Sequence, residues 1–119
     1  MLGMQTGQAG ATGDDRRFAA RFKVDLKVRV QIRSGATPRT VHAQASDMSY
    51  GGLAMYLPAD LALGETIELE FTLPYTSSPV TVLAVVRNRR SYQYGVEYVN
   101  LLPSTAAAIR RACVSLALV

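Results

Sequence analysis

Two short segments carry side chains that can do chemistry. The first is Arg16-Arg17-Phe18-Ala19-Ala20-Arg21. Guanidiniums this close repel one another unless an anion sits among them. Each presents a planar fork that can take two phosphate oxygens, or the O6/N7 edge of guanine. The second is Asp47-Met48-Ser49-Tyr50-Gly51-Gly52. A carboxylate at Asp47 can accept from the N1–H and N2–H₂ of guanine, which offer it two parallel donors. The Ser49 hydroxyl both donates and accepts. Gly51 and Gly52 permit positive φ and leave room for a ligand to approach the backbone. Taken singly, the first segment also fits a solvated basic linker, and the second an ordinary turn.

Other reactive residue types carry less. His42 is the only histidine and falls on the polar face of an expected strand. Nothing in the sequence links it to a serine nucleophile, and no second imidazole exists for a zinc site. Cys113 lies on an apolar helical stripe, where cysteine behaves as a small hydrophobe. A single cysteine closes no intramolecular disulfide. Glu68 and Glu70 share one strand face as alternating polar residues, the pattern of a solvated surface. Neither phosphate-cradling glycine motif, GxGxxG or GxxxxGK[ST], occurs. An enzyme is therefore not expected, nor any cofactor or metal.

The elements that must position the two segments follow from hydrophobic periodicity. Residues 1–13 are rich in Gly, Ala, Thr and Gln without periodicity and read as a tail. Residues 14–24 read as an arm. Leu26, Val28, Val30 and Ile32 then alternate with polar residues, the mark of a half-buried strand. Val41, Ala43 and Ala45 begin a second strand, Leu53, Met55 and Leu57 a third, and Ile67, Leu69, Phe71 and Leu73 a fourth. Val80 to Arg87 is almost wholly apolar and reads as a fifth strand buried on both sides. Tyr94 to Val99 is a sixth. Ile109, Ala112, Cys113 and Leu116 then follow helical spacing after Pro103, so residues 103–116 read as an amphipathic helix. Six short strands over residues 25–100 argue for an all-β sandwich or a closed antiparallel barrel. Closure is favoured because it hides strand edges. The helix would cap one open end.

Charge narrows the partner. The chain has 119 residues and a net charge of +4, with eleven Arg against two Lys. All of the excess lies in residues 14–33, and the remainder balances to zero. A concentrated basic patch favours an anionic partner. No apolar run is long enough to span a bilayer, and the first residues lack the pattern of a secretory leader. Membrane insertion is not expected, and a cytoplasmic setting is.

Together the two segments resemble the signature of the PilZ family, small six-stranded β-barrels that bind the bacterial second messenger cyclic di-GMP. The family's R-x-x-x-R is matched by Arg17-Phe18-Ala19-Ala20-Arg21. Its [D/N]-x-S-x-x-G is matched by Asp47, Ser49 and Gly52. One hairpin separates the two, as in the family. Ala84-Val85-Val86-Arg87 and Tyr94-Gly95-Val96-Glu97-Tyr98 resemble the family's last hairpin, and the likeness runs over residues 14–116. The resemblance implies a PilZ-like six-stranded antiparallel β-barrel with a C-terminal α-helix. It implies a cyclic di-GMP receptor whose ligand sits between the arm and the barrel wall. Arg17 and Arg21 would grip phosphate and guanine, Asp47 and Ser49 would supply the second contact surface, and Gly52 would allow close packing. Arg16 just before the motif implies an intercalated ligand dimer, two molecules per chain. Arg87 or Arg89 could reach the ligand, although a surface role is the simpler reading of each. The signal would pass to an unidentified downstream protein. The alternative is a PilZ-like protein-interaction adaptor that does not bind the nucleotide. A nucleic-acid-binding barrel fits less well, because its basic groove would be lined with stacking aromatics, and here the charge sits in one arm.

Overall fold

Period-two alternation starts earlier than Leu26. The computed structural model describes residues 20–117, and its first strand, β1, runs Phe22–Ile32. The end of the expected arm, residues 22–24, is thus strand. Phe22, Val24 and Leu26 alternate with Lys23 and Asp25, and all three pack against the core. The other strands are β2 (Arg39–Met48), β3 (Gly52–Tyr56), β4 (Thr66–Thr72), β5 (Pro79–Arg90) and β6 (Gln93–Val99), followed by helix α1 (Pro103–Ala117). Arg16 and Arg17 lie outside the described residues.

The strands close in the order β1-β2-β3-β6-β5-β4. Every neighbouring pair is antiparallel. Closure gives every strand a neighbour on both sides, with β1 and β4 meeting over Arg29–Gln31 and Glu68–Glu70. Inward residues fill the barrel: Val28, Val30 and Ile32 from β1, Leu53 and Met55 from β3, Ile67, Leu69 and Phe71 from β4. No charged or polar residue is buried among the described residues.

β5 is not buried on both sides. Val82, Ala84 and Val86 face inward, whereas Leu83 is 41% exposed and Val85 half-buried. The apolar run reads as a sandwiched strand, but in a closed barrel only one face of each strand has a core to meet. Leu83 and Val85 simply lie on the wall.

Both helix and loops complete the core. Pro103 opens α1, and Ile109, Ala112 and Cys113 are buried against the barrel. Burial also pushes the Cys113 thiol up, which keeps it protonated and inert. The loop after β3 tucks Leu57, Ala59 and Leu61 inside. Tyr94 holds it there: its hydroxyl donates to the Ala59 carbonyl at 2.6 Å and accepts from the Leu61 N–H at 3.0 Å. Arg89 bolts the same loop from outside. It donates to Asp60 at 2.6 Å and to the Leu61 carbonyl at 3.3 Å, while its guanidinium covers the Tyr94 ring.

One core group is not satisfied. The Tyr98 hydroxyl is buried with no hydrogen-bond partner. Burial, with the Cys113 thiol beside it, pushes this phenol well above the usual tyrosine range. Removing an unpaired buried hydroxyl should relieve a desolvation cost. Tyr98→Phe is expected to raise stability by about 1 kcal/mol, read as a higher midpoint of urea unfolding. A fall of similar size would mean that the hydroxyl has a partner.

Candidate functional site

Alternation along β2 assigns Ala43 and Ala45 to the core. Two residues on, Asp47 should also point inward, which would bury a carboxylate. It does not, because the register slips at Ser46: Ala45 pairs Met55, but Asp47 pairs Ala54. One extra residue in β2 turns Asp47 outward and returns Met48 to the core. β5 repeats the device. Val86 pairs Val96, and Asn88 pairs Gly95, so Arg87 is the extra residue. Asn88, which alternation would send inward, therefore stands on the wall.

These two bulges build a row across the outside of the barrel. Lys23 of β1 pairs Asp47 of β2, which pairs Ala54 of β3, which pairs Gly95 of β6, which pairs Asn88 of β5. Ala54 and Gly95 are small and form a floor. Asp47 and Asn88 rise at its two sides. The result is a shallow concavity open to solvent, lined also by Arg21, Ser49, Gly52 and Arg87. Arg21 reaches it because Phe22 pairs Met48, so the residue before β1 stands at the Ser49 end of the hairpin.

The structure thus brings together Arg21, Asp47, Ser49 and Gly52, every motif residue within the described range. Arg16 and Arg17 cannot be placed. Arg87 and Arg89 separate. Arg87 lines the concavity and pairs with Glu97 at 2.7 Å. Arg89 is held at the far loop by Asp60, the hydrogen bond that chiefly raises its pKa. Sequence reasoning did not single out Asn88 and Ala54. Asn88 carries one signal in the sequence, a neutral polar residue set among the arginines that follow the apolar run ending at Val86.

Each site group has a definite environment. Asp47 pairs with the Lys23 ammonium at 3.2 Å, and its side chain is only 21% exposed against 89% for the lysine. The Ser49 hydroxyl closes the turn, accepting from the Gly51 N–H at 3.3 Å. The Ser49 N–H donates to the Gly52 carbonyl at 3.0 Å. Gly51 is fixed to the barrel through its carbonyl, which accepts from the Tyr98 N–H at 2.8 Å. Tyr50 lies under the Arg110 guanidinium of α1, 4.9 Å from its ring centre. Glu68 and Glu70, two apart on β4, take Arg33 and Arg29 at 3.5 and 2.5 Å, so they balance β1.

Gly52 is required for a reason other than the expected one. Neither Gly51 nor Gly52 adopts positive φ; among the described residues the glycines that do are Gly35 and Gly64. A Cβ on Gly52 would instead stand 2.0 Å from the Val96 backbone carbonyl oxygen. The barrel itself passes too close there for any side chain.

A closed six-stranded barrel with a C-terminal helix, a shallow hollow on its outer wall and an arginine entering from the segment before β1 defines a small all-β domain. The chain belongs to the PilZ domain family, whose model matches residues 15–115. Solved structures agree on the fold. The PilZ domain of CeSA from a cellulose-synthesizing bacterium matches with a TM-score of 0.64 at 17% identity, covering 82% of this chain and 98% of that one. The Bacillus subtilis inhibitor of motility (MotI/DgrA) matches with 0.68 at 23% identity, covering 87% of this chain and 52% of that one. The PilZ domain of Escherichia coli YcgR, in a structure with c-di-GMP, matches with 0.66 at 16% identity, covering 85% and 91%. Comparison with curated proteins gave no match. No helix among the described residues is long and apolar enough to cross a membrane.

The two floor glycines should respond differently to a methyl group. Gly52→Ala meets backbone and is expected to cost about 1–3 kcal/mol. A Cβ on Gly95 meets only the Asn88 side chain, at 2.5 Å, which can swing into solvent. Gly95→Ala is expected to cost under about 1 kcal/mol. Urea unfolding of the two variants side by side checks the order.

Proposed function

We propose that this protein is a cyclic di-GMP receptor that takes the second messenger against the outer wall of β2, β3, β6 and β5. The observation that carries the reading is the meeting of Arg21, Asp47, Ser49 and Gly52 at one concavity from two separate stretches of chain. Their chemistry suits the ligand. Arg21 supplies a fork for a phosphate or a guanine edge. Asp47 accepts from the N1–H and N2–H₂ of guanine, releasing Lys23, whose exposed ion pair is worth ~0–1 kcal/mol and is readily exchanged. The Ser49 hydroxyl donates only across a long 3.5 Å contact to the Gly52 carbonyl, so its proton can turn to a phosphate oxygen. Family membership extends the set to Arg17 and Arg16, with Arg16 favouring an intercalated ligand dimer.

Binding would draw the segment before β1 over the ligand and so change the surface this end of the barrel presents. The signal then passes to a partner protein that reads the change, in the cytoplasm of a bacterium. The domain acts by binding and carries out no reaction of its own.

Titration calorimetry with cyclic di-GMP tests the reading. The wild type is expected to bind with two ligands per chain. Arg17→Ala, Arg21→Ala and Asp47→Ala should each weaken binding at least about tenfold, the scale of a lost charge-assisted hydrogen bond. No heat at tens of micromolar ligand would overturn the receptor reading in favour of a nucleotide-independent adaptor. A stoichiometry of one would overturn only the ligand dimer.

A further inference from the structure

Most polar side chains of the concavity are already engaged. Asp47 pairs with Lys23, Arg87 with Glu97, and Ser49 closes its own turn. Among the described residues, Arg21 and Asn88 line the hollow without a hydrogen-bond or ionic partner. An arginine in that condition is explained by an anion. A carboxamide is not: it is neutral, and it offers one donor group beside one acceptor. Asn88 is also specially seated. The bulge at Arg87 turns it outward, and the missing Cβ of Gly95 leaves the space its amide occupies, since a Cβ there would stand 2.5 Å from its oxygen.

Position decides what Asn88 can read. Three strand spacings of ~4.8 Å separate Asp47 from Asn88, about 14 Å along the wall. The two cannot hold the edge of one base. A ligand with two bases can offer one to each. A carboxamide pairs with a donor and an acceptor side by side, and guanine has such an edge in its N2–H₂ and N3. Adenine lacks the 2-amino group, so there the Asn88 oxygen would face C2–H with nothing to accept. A site built around a hydrogen bond rejects the analogue that lacks it.

We propose that Asn88 is a base-reading residue, which pairs its carboxamide with the N2–H₂/N3 edge of the ligand's second guanine and selects against adenine at that position. The assignment rests on the cyclic di-GMP reading above. Asp47 reads one base, Asn88 the other, and the flat floor of Ala54 and Gly95 lies between them.

The test compares cyclic di-GMP with the mixed guanine–adenine cyclic dinucleotide by calorimetry. The wild type is expected to prefer the two-guanine ligand about five- to tenfold, the effect of one net hydrogen bond. Asn88→Ala should lose that factor for cyclic di-GMP and leave the mixed ligand within about twofold, so the preference collapses. Gly95→Ala, which displaces the Asn88 side chain, should reproduce the Asn88→Ala pattern: weaker cyclic di-GMP, and the mixed ligand within about twofold. Asn88 is exposed and unpaired, so the melting temperature of Asn88→Ala should equal the wild-type value. Asn88→Leu, which keeps the size and removes both the acceptor and the donor, repeats the comparison if alanine perturbs the fold. Unchanged binding, equal loss for both ligands, or a wild type that does not discriminate would each overturn the assignment while leaving the receptor reading standing. A wild type that binds neither ligand overturns both.

Discussion

A closed antiparallel barrel allows a strand residue only two directions, into the core or out onto the wall. That constraint organises this molecule. It forces Val28, Val30 and Ile32 inward and places Lys27 and Arg29 outside. It leaves no second face for the apolar β5 to bury. The same rule would send Asp47 and Asn88 into a core that holds no charged or polar residue. The bulges at Ser46 and Arg87 are where the rule is broken. Each inserts one residue, exchanges inside for outside, and delivers a polar side chain to the wall. The candidate site is the space between the two breaks.

Charge on the first strand takes its meaning from the strands that close on it. The basic excess of residues 14–33 belongs to a linear count. In the barrel, Lys23, Arg29 and Arg33 meet Asp47, Glu70 and Glu68. Exposed pairs of this kind add little stability, but they remove three cations from the long-range field. Among the described residues of the hollow, Arg21 is the cation without a protein carboxylate. Within residues 20–33 that leaves Arg21 and Lys27 as the cations without a protein carboxylate among the described residues, and of the two only Arg21 lines the hollow.

The loop between β2 and β3 is tied at three points. Ser49 closes it on itself, the Gly51 carbonyl accepts from the Tyr98 N–H, and Tyr50 lies under Arg110 of α1. Tyr98 and Cys113 are neighbours in the core behind it. The loop beside the hollow is therefore mechanically continuous with the C-terminal helix, through one aromatic contact outside and one packed pair inside. At the opposite loop, Arg89 and Tyr94 perform a similar service for residues 58–64, which explains why two arginines so close in sequence as Arg87 and Arg89 serve different ends of the structure.

Periodicity determined most of the architecture. The alternation in residues 26–32 and 66–73 depends only on local spacing, and the helix from Pro103 needs only its apolar stripe, so strands, helix and all-β class were legible. The spacing of Arg17, Arg21, Asp47, Ser49 and Gly52 marked the family and the two segments of the site. Three things were not legible, for one reason. The outward face of β5, the clash that makes Gly52 obligatory, and the place of Asn88 opposite Asp47 all depend on which residue lies across from which on a neighbouring strand. Register between strands far apart in sequence is set by closure of the whole barrel and by single-residue slips within it. A sequence carries its own alternation, but it does not display its partner's, and the wall that receives the ligand exists only where four partners are aligned.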